Sequence, residues 1–261
     1  MMNTHKTLLI ETIDDTVCVL YLNRPEAANA LNTDMALDIK HFFELLQQSD
    51  CRAVILAGKG RNFCAGADLK ERLGLSEEGW QQQHHAFEEA REAIADCPLP
   101  VIAAVQGAAY AGGLELALAC DFIYAAANAQ FALTEAKLGI MPGLGGTQLL
   151  PRAIGMPMAK ELIFMGRSFS PAEALHWGMI NRICQSESLI DDAIACAITI
   201  SKNAPLSVKA IKQSINEGAG LPLSEALQCE LTHYDTLLPT FDRREGVNAF
   251  NEKRAPIFKG E

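Results

Sequence analysis

Two glutamates sit where an ionised carboxylate is least expected. Glu115 lies in Ala111-Gly112-Gly113-Leu114-Glu115-Leu116, and Glu135 in Phe131-Ala132-Leu133-Thr134-Glu135. Both stretches are otherwise apolar. Burying a charge is costly unless the group is paired or used. Two carboxylates facing one cavity can serve as general acid and general base, and nearby glycines leave backbone N–H groups open to a negative oxygen. That combination suits adding water to, or removing it from, a carbon next to a carbonyl.

The elements that must position these groups read as α/β. Thr7–Ile13 and Thr16–Leu22 are β-rich runs around an Asp14-Asp15 turn, which predicts a hairpin. Asn32-Thr33-Asp34 can cap a helix reaching about Gln48, with Ala36, Ile39, Phe43 and Leu46 on one face. Arg52–Ala57, Val101–Val105 and Phe122–Ala126 are expected strands. Asp68–Leu73, Ser76–Asp96 and Gly112–Cys120 are expected helices, the second stopped by Pro98 and Pro100. After a loop at Gly143–Gly146, helices are expected at Thr147–Ile154, Met158–Met165 and Pro171–Trp177, then a short strand at Ile180–Cys184. From Leu189 onward the pattern is helical only, broken near Pro205, Pro222 and Pro239. This last part is expected to pack as an arm on the core or on another subunit.

Composition narrows the function classes. The 261 residues are 49% hydrophobic and carry a formal charge of −10, which argues against a general nucleic-acid binder. The start, Met1 to Leu9, has no signal-peptide order, and no run of about 18 apolar residues exists, so a cytoplasmic protein without a membrane span is expected. The eight cysteines form no Cys-x-x-Cys pair and read as buried, reduced thiols. His84, His85 and Glu88 lie on a polar, Gln- and Glu-rich segment and read as a solvated helix face rather than a metal site.

Glycine motifs suggest nucleotide binding only superficially. Gly107-Ala-Ala-Tyr-Ala-Gly112 has P-loop spacing, but Gly113-Leu114 replaces the required Lys and Ser/Thr. Gly143-Leu-Gly145-Gly146-Thr147 is not Gly-x-Gly-x-x-Gly. An oxyanion site fits better: Gly112 opens a helix after a strand, and the first N–H groups of a helix are unpaired and lie at its positive end. A second donor could come from Phe63-Cys64-Ala65-Gly66-Ala67-Asp68. Taken singly, close packing explains Gly112 and Gly113 as well, and an ordinary turn with Asp68 as helix cap explains the second segment.

Together these segments resemble the crotonase superfamily, the enoyl-CoA hydratase/isomerase family. The likeness is carried by Asn23-Arg24-Pro25 with Asn29-Ala30-Leu31, Phe63 to Lys70, Pro100 to Asp121, Glu135 to Gln148, and the tail Asp242-Arg243-Arg244-Glu245-Gly246 with Phe250 and Glu252-Lys253-Arg254. It spans nearly the whole chain in order. Within the family, Phe63–Arg72, Gly113–Asp121 and Leu150–Phe164 look especially like methylglutaconyl-CoA hydratases. The fold implied is an α/β spiral of ββα units over residues 1–200 with a helical oligomerisation arm over 201–261.

The resemblance also implies roles. The N–H groups of Ala65 and Gly112 would form the oxyanion hole. Glu115 would orient and deprotonate water, and Glu135 would exchange a proton with the α-carbon. Arg24, Ala28, Ala65, Gly66, Ala67, Asp68, Gly112, Phe250 and Lys253 would contact the substrate or its CoA handle. The activity implied is hydration of a trans-2-enoyl-CoA to the 3-hydroxyacyl-CoA, in fatty-acid or branched-chain amino-acid breakdown. Methylglutaconyl-CoA hydration, Δ3-Δ2-enoyl-CoA isomerisation and a non-catalytic CoA- or RNA-binding module are the alternatives. Neither metal nor cofactor is called for, and a homotrimer or homohexamer is expected. Ala111, Thr134 and Leu149 depart from the family pattern. RNA binding is not carried over, because the helix at 32–50 has only Lys40 and several acids.

Overall fold

The computed structural model describes residues 6–46 and 49–261. The chain begins with the expected hairpin, β1 (Leu8–Ile13) and β2 (Val17–Leu22), followed by α1 (Thr33–Leu46) and β3 (Ala53–Gly58). The expected end of α1 at Gln48 lies outside the described residues. Next come α2 (Leu69–Leu73), α3 (Glu77–Ala95), β4 (Val101–Val105), β5 (Ala108–Tyr110), α4 (Gly112–Ala119), β6 (Phe122–Ala126) and β7 (Gln130–Ala132). Then α5 (Gly146–Ile154), α6 (Met156–Met165), α7 (Pro171–His176), β8 (Arg182–Cys184) and α8 (Leu189–Ser201) complete the core. The arm is α9 (Pro205–Gly218), α10 (Leu223–Leu237) and α11 (Phe241–Glu252).

One sheet has the order β1-β2-β3-β4-β6-β8, antiparallel only at β1–β2. Every residue of β2, β3 and β4 is buried, as expected of parallel strands covered on both faces. Side chains alternate between two cores. Leu20, Leu22, Val54, Leu56, Val101 and Ala103 meet α1 and α3 on one side. Val19, Ile55, Ile102 and Ala104 face α8 on the other.

A second, two-stranded parallel sheet pairs β5 with β7. Thus β4-β5-α4 repeats as β6-β7 followed by a 3-10 turn at Glu135–Leu138, each large-sheet strand handing on to a small-sheet strand and then a helical start. Both glutamates stand at those starts. The three-residue strands β5 and β7 are too short to show an alternation, and sequence patterning missed them.

These last helices and the C-terminal segment are tied to the preceding residues by polar contacts. Lys212 Nζ lies 2.8 Å from Asp121 Oδ2 and donates to the Leu99 carbonyl at 2.9 Å, and Arg52 donates to the Phe258 carbonyl at 3.1 Å. The helices leave Ile211, Ile215, Leu223, Leu227, Leu231 and Tyr234 exposed. Six of the eight cysteines are buried and all are free, matching the expected reduced thiols. No helix among the described residues is long and apolar enough to cross a membrane.

Candidate active site

The α4 helix is buried along most of its length, with Leu114 and Leu116 fully enclosed. Glu115, between them, is only 2% exposed. Its Oε1 accepts from the Leu144 N–H at 2.7 Å and the Gly146 N–H at 2.8 Å. The turn that presents both donors uses Gly145 at φ +100°, a left-handed conformation glycine adopts freely. Burial pushes the Glu115 carboxyl above its ordinary range, and the two N–H donors pull part of the way back.

Glu135 follows β7 and opens the 3-10 turn. It is 5% exposed, and its Oε2 has no hydrogen-bond partner among the described residues. Burial, reinforced by the charge of Glu115, pushes its pKa up to about 7. Two carboxyls of one type therefore differ: one is held by backbone donors, and the other is poised near neutrality with a bare oxygen. Both line a cavity of about 600 Å³.

Of the two N–H groups expected at an oxyanion hole, those of Gly112 and Ala65, the structure leaves only the first open. Gly112 is the first residue of α4, and its N–H has no protein acceptor among the described residues. Ala65 does not supply the second donor, because its N–H is bonded to the Ala28 carbonyl at 3.1 Å. The open N–H is that of Ala67. Leu31 bridges this segment by donating to the Gly66 carbonyl and accepting from the Asp68 N–H, both at 2.8 Å. In a parallel bridge the residue between those two groups turns its own N–H away. A Cβ placed on Gly112 would lie 4.0 Å from the Ala67 nitrogen, so the two free donors flank one point on the cavity wall.

Close backbone approach sets this geometry. A Cβ on Gly66 would stand 2.9 Å from the Tyr110 carbonyl oxygen, and one on Gly113 would collide with the Cys64 carbonyl. Ala111, the N-cap of α4, is held at φ +50°, ψ −125°, a region L-residues rarely occupy. Its N–H donates to the Ala132 carbonyl at 2.8 Å, joining the approaches to both glutamates.

Other expected contacts serve the frame. Arg24 bridges to Asp68 at 2.9 Å and donates to the Ala30 carbonyl at 2.6 Å, while Asp68 caps α2 through the Lys70 and Glu71 N–H groups. Ala28, in the left-handed region, offers the carbonyl that Ala65 uses. Neither Phe250, 83% exposed, nor Lys253 lines the cavity.

Several lining residues went unread in the sequence. Arg72 of α2, with Trp80, His84 and Phe87 of α3, forms a wall of the cavity. His84 was expected on a solvated face, yet a Cβ on Gly143 would come within 2.7 Å of its ring, because residues 138–144 fold over this helix. His85 beside it is exposed as expected. Outside the cavity, Glu217, Cys229 and His233 bring their ligand atoms within 4.8 Å of one another on α9 and α10.

The sequence matches the enoyl-CoA hydratase/isomerase family over residues 12–261. The chain belongs to that family. It is 40% identical to the enoyl-CoA isomerase/hydratase fer4 of Mycosarcoma maydis, over 93% of this chain and 92% of that protein. It is 38% identical to the human mitochondrial methylglutaconyl-CoA hydratase, over 100% of this chain and 79% of that one. The crystal structure of an enoyl-CoA hydratase from Bacillus anthracis superposes with a TM-score of 0.96 at 40% identity, covering 98% and 100% of the two chains. The fold is thus the α/β crotonase fold anticipated from the sequence.

Proposed function

We propose that this protein is an enzyme that reversibly adds water to a trans-2-enoyl-CoA, giving the 3-hydroxyacyl-CoA. The observation that carries the reading is the unequal pair of carboxyls in one cavity beside two unpaired N–H donors. The thioester oxygen would sit between the Ala67 and Gly112 N–H groups. Negative charge developing there on enolate formation is stabilised, and one such donor contributes about 2.7–4 kcal/mol.

Glu115, its Oε1 held by two backbone donors, keeps Oε2 to orient water and take its proton as the oxygen attacks the β-carbon. Glu135, with a pKa near 7, is protonated in much of the population at neutral pH and delivers its proton to the α-carbon. In the reverse direction the roles exchange. The sequence supports no metal or redox group in these steps, and the CoA portion acts as the handle. Supporting the choice of hydration over isomerisation is the second acid: moving a proton between two carbons needs one base, whereas hydration must also activate water.

The test is to mix purified protein with a trans-2-enoyl-CoA and follow enoyl absorbance and product together. Loss of absorbance with formation of the 3-hydroxy ester is the expected result. Conversion of a 3-enoyl-CoA to the 2-enoyl ester without any hydroxy product would replace hydration by isomerisation.

A further inference from the structure

The hairpin of α9 and α10 gathers three side chains of metal-ligating type that the hydration chemistry does not use. Glu217 is the penultimate residue of α9, and Cys229 and His233 lie four residues apart on α10. Residues spaced by four on a helix share one face on successive turns. The two helices approach closely at the turn that joins them: a Cβ on Gly218 would lie 3.5 Å from that of Ala226. That approach carries Glu217 over the face of Cys229 and His233.

One carboxylate oxygen is the meeting point. Glu217 Oε2 lies 3.0 Å from His233 Nε2 and 3.6 Å from Cys229 Sγ, and the three ligand atoms all fall within 4.8 Å of one another. A zinc ion bound tetrahedrally, about 2.3 Å from sulfur and about 2.0 Å from nitrogen and oxygen, sets its sulfur and oxygen about 3.5 Å apart and its nitrogen and oxygen about 3.3 Å apart. Side-chain shifts of a few tenths of an ångström would therefore seat the ion. Thiolate, imidazole and carboxylate together suit zinc and its borderline neighbours, whereas calcium and magnesium take oxygen ligands. Cys229 is one of the two cysteines that are not buried, and Glu217 is exposed, so an ion can enter and water can fill a fourth position. The His233–Glu217 pair alone would serve as a surface ion pair. The thiol adds little to that pair as a weak hydrogen-bond donor and adds much as a ligand.

We propose that Glu217, Cys229 and His233 bind one divalent transition-metal ion, zinc in preference, and that the ion clips α9 to α10. The inference goes beyond the hydratase reading and does not rest on it, because none of the three residues lines the cavity of Glu115 and Glu135. The site also stands apart from the exposed apolar stripe of α10. At 3.6 residues per turn, Leu223, Leu227, Leu231 and Tyr234 point about 135° away from Cys229 and His233. The ion would join two helices that are otherwise held together by side-chain packing and the short turn between them.

Calorimetry with zinc chloride tests the site in the full chain, free of any affinity tag and first stripped of metal. Magnesium chloride is the control for loose cation binding by an acidic protein. Wild type is expected to take up one zinc ion per chain and to bind magnesium far more weakly. Loss of even an outer partner of a metal ligand costs about 10- to 100-fold in affinity, so Cys229→Ser and His233→Ala should each weaken zinc binding by at least about tenfold. Cobalt(II) in place of zinc should give a sulfur-to-metal charge-transfer band in wild type, and Cys229→Ser should abolish it. Zinc should also slow amide hydrogen exchange where α9 and α10 face each other, and should fail to do so in Cys229→Ser. Equal uptake of zinc and magnesium would reduce the cluster to adventitious cation binding and overturn the inference. So would zinc affinity that both variants leave intact, or cobalt uptake without the sulfur band. Zinc binding that depends on both residues but leaves amide exchange unchanged would support the site and refute the clip.

Discussion

Replacing Glu135 by Gln tests catalysis and stability with one change. The side chain keeps its shape and loses its transferable proton. General acid–base groups contribute about 10²- to 10⁴-fold, so hydration should fall by that factor while affinity for a saturated acyl-CoA stays within a few-fold. Stability should move the other way. The Glu135 pKa rises from an ordinary 4.5 to about 7 on folding, chiefly through burial. An acid whose folded pKa lies above its unfolded value carries no penalty below the unfolded value. The penalty grows as pH rises and is complete above the folded value. A rise of that size corresponds to about 3 kcal/mol at most. Screening through the open cavity trims this to about 1–2 kcal/mol. The Gln variant has no such penalty. Its melting temperature relative to wild type should therefore improve by about 2–6 °C between pH 4.5 and pH 8. Thermal unfolding at both pH values and the enoyl absorbance assay supply the measurements. Activity within threefold of wild type, or a melting difference that is the same at both pH values, would refute the roles of burial and proton transfer assigned to Glu135.

The hydration rate should carry the same signature: with Glu135 acting as the acid, kcat/KM should decline about tenfold per pH unit above about pH 7, and a flat profile to pH 9 would exclude it. Replacing the Ala67 amide by an ester, through incorporation of lactic acid, removes one oxyanion donor and keeps the methyl group. Turnover should drop about 10²- to 10³-fold, whereas the same change at Ala65 should lower melting temperature more than rate. Ala111→Gly relieves a backbone strain of about 1–3 kcal/mol against a smaller entropy cost, so melting should rise by about 2–4 °C, and a lower value would show the φ of +50° to be unstrained. The expected trimer or hexamer would rest on the last three helices, which expose Ile211, Leu223, Leu227 and Leu231: the full chain should sediment as an oligomer and a chain ending at Ser201 should not, and an intact active trimer of the shortened chain would refute that role.

The two glutamates were legible because a carboxylate within an apolar run is conspicuous, and the long elements because their periodicity is strong. The parallel strands Ala53–Gly58 and Val101–Val105 follow from unbroken buried runs, and α3 from its length and its Pro98 stop. What failed was register. Ala65 and Ala67 are identical residues two positions apart, and only the bridge to Leu31 decides which N–H is free. Nothing in the local sequence records that pairing. Arg72 and His84 were hidden for another reason: polar residues on polar helices look solvated, but Arg72 lies against Trp80 and Phe87, and His84 meets Gly143 from a distant loop. The donors to Glu115 also come from about thirty residues downstream, at Leu144 and Gly146.

These failures share a physical origin that bears on how the site divides its work. The two N–H groups proposed as oxyanion donors ride on one backbone ladder. Cys64 donates to the Ala108 carbonyl and accepts from the Tyr110 N–H, both at 3.0 Å, which locks the loop carrying Ala67 against the strand leading to Gly112. The approach is so close that Gly66 and Gly113 have no room for a side chain, and Ala111 is left in a strained conformation. Charge stabilisation by those two N–H groups would thus be a property of the backbone. Those walls come from α2 and α3, whose residues can change without moving the ladder. On the proposed reading, the reaction type would rest on the ladder and the two carboxyls it approaches, and the choice of acyl group on the wall lined by Arg72, Trp80, His84 and Phe87. A substitution on that wall should therefore alter which acyl groups bind while the open N–H groups of Ala67 and Gly112 stay in place.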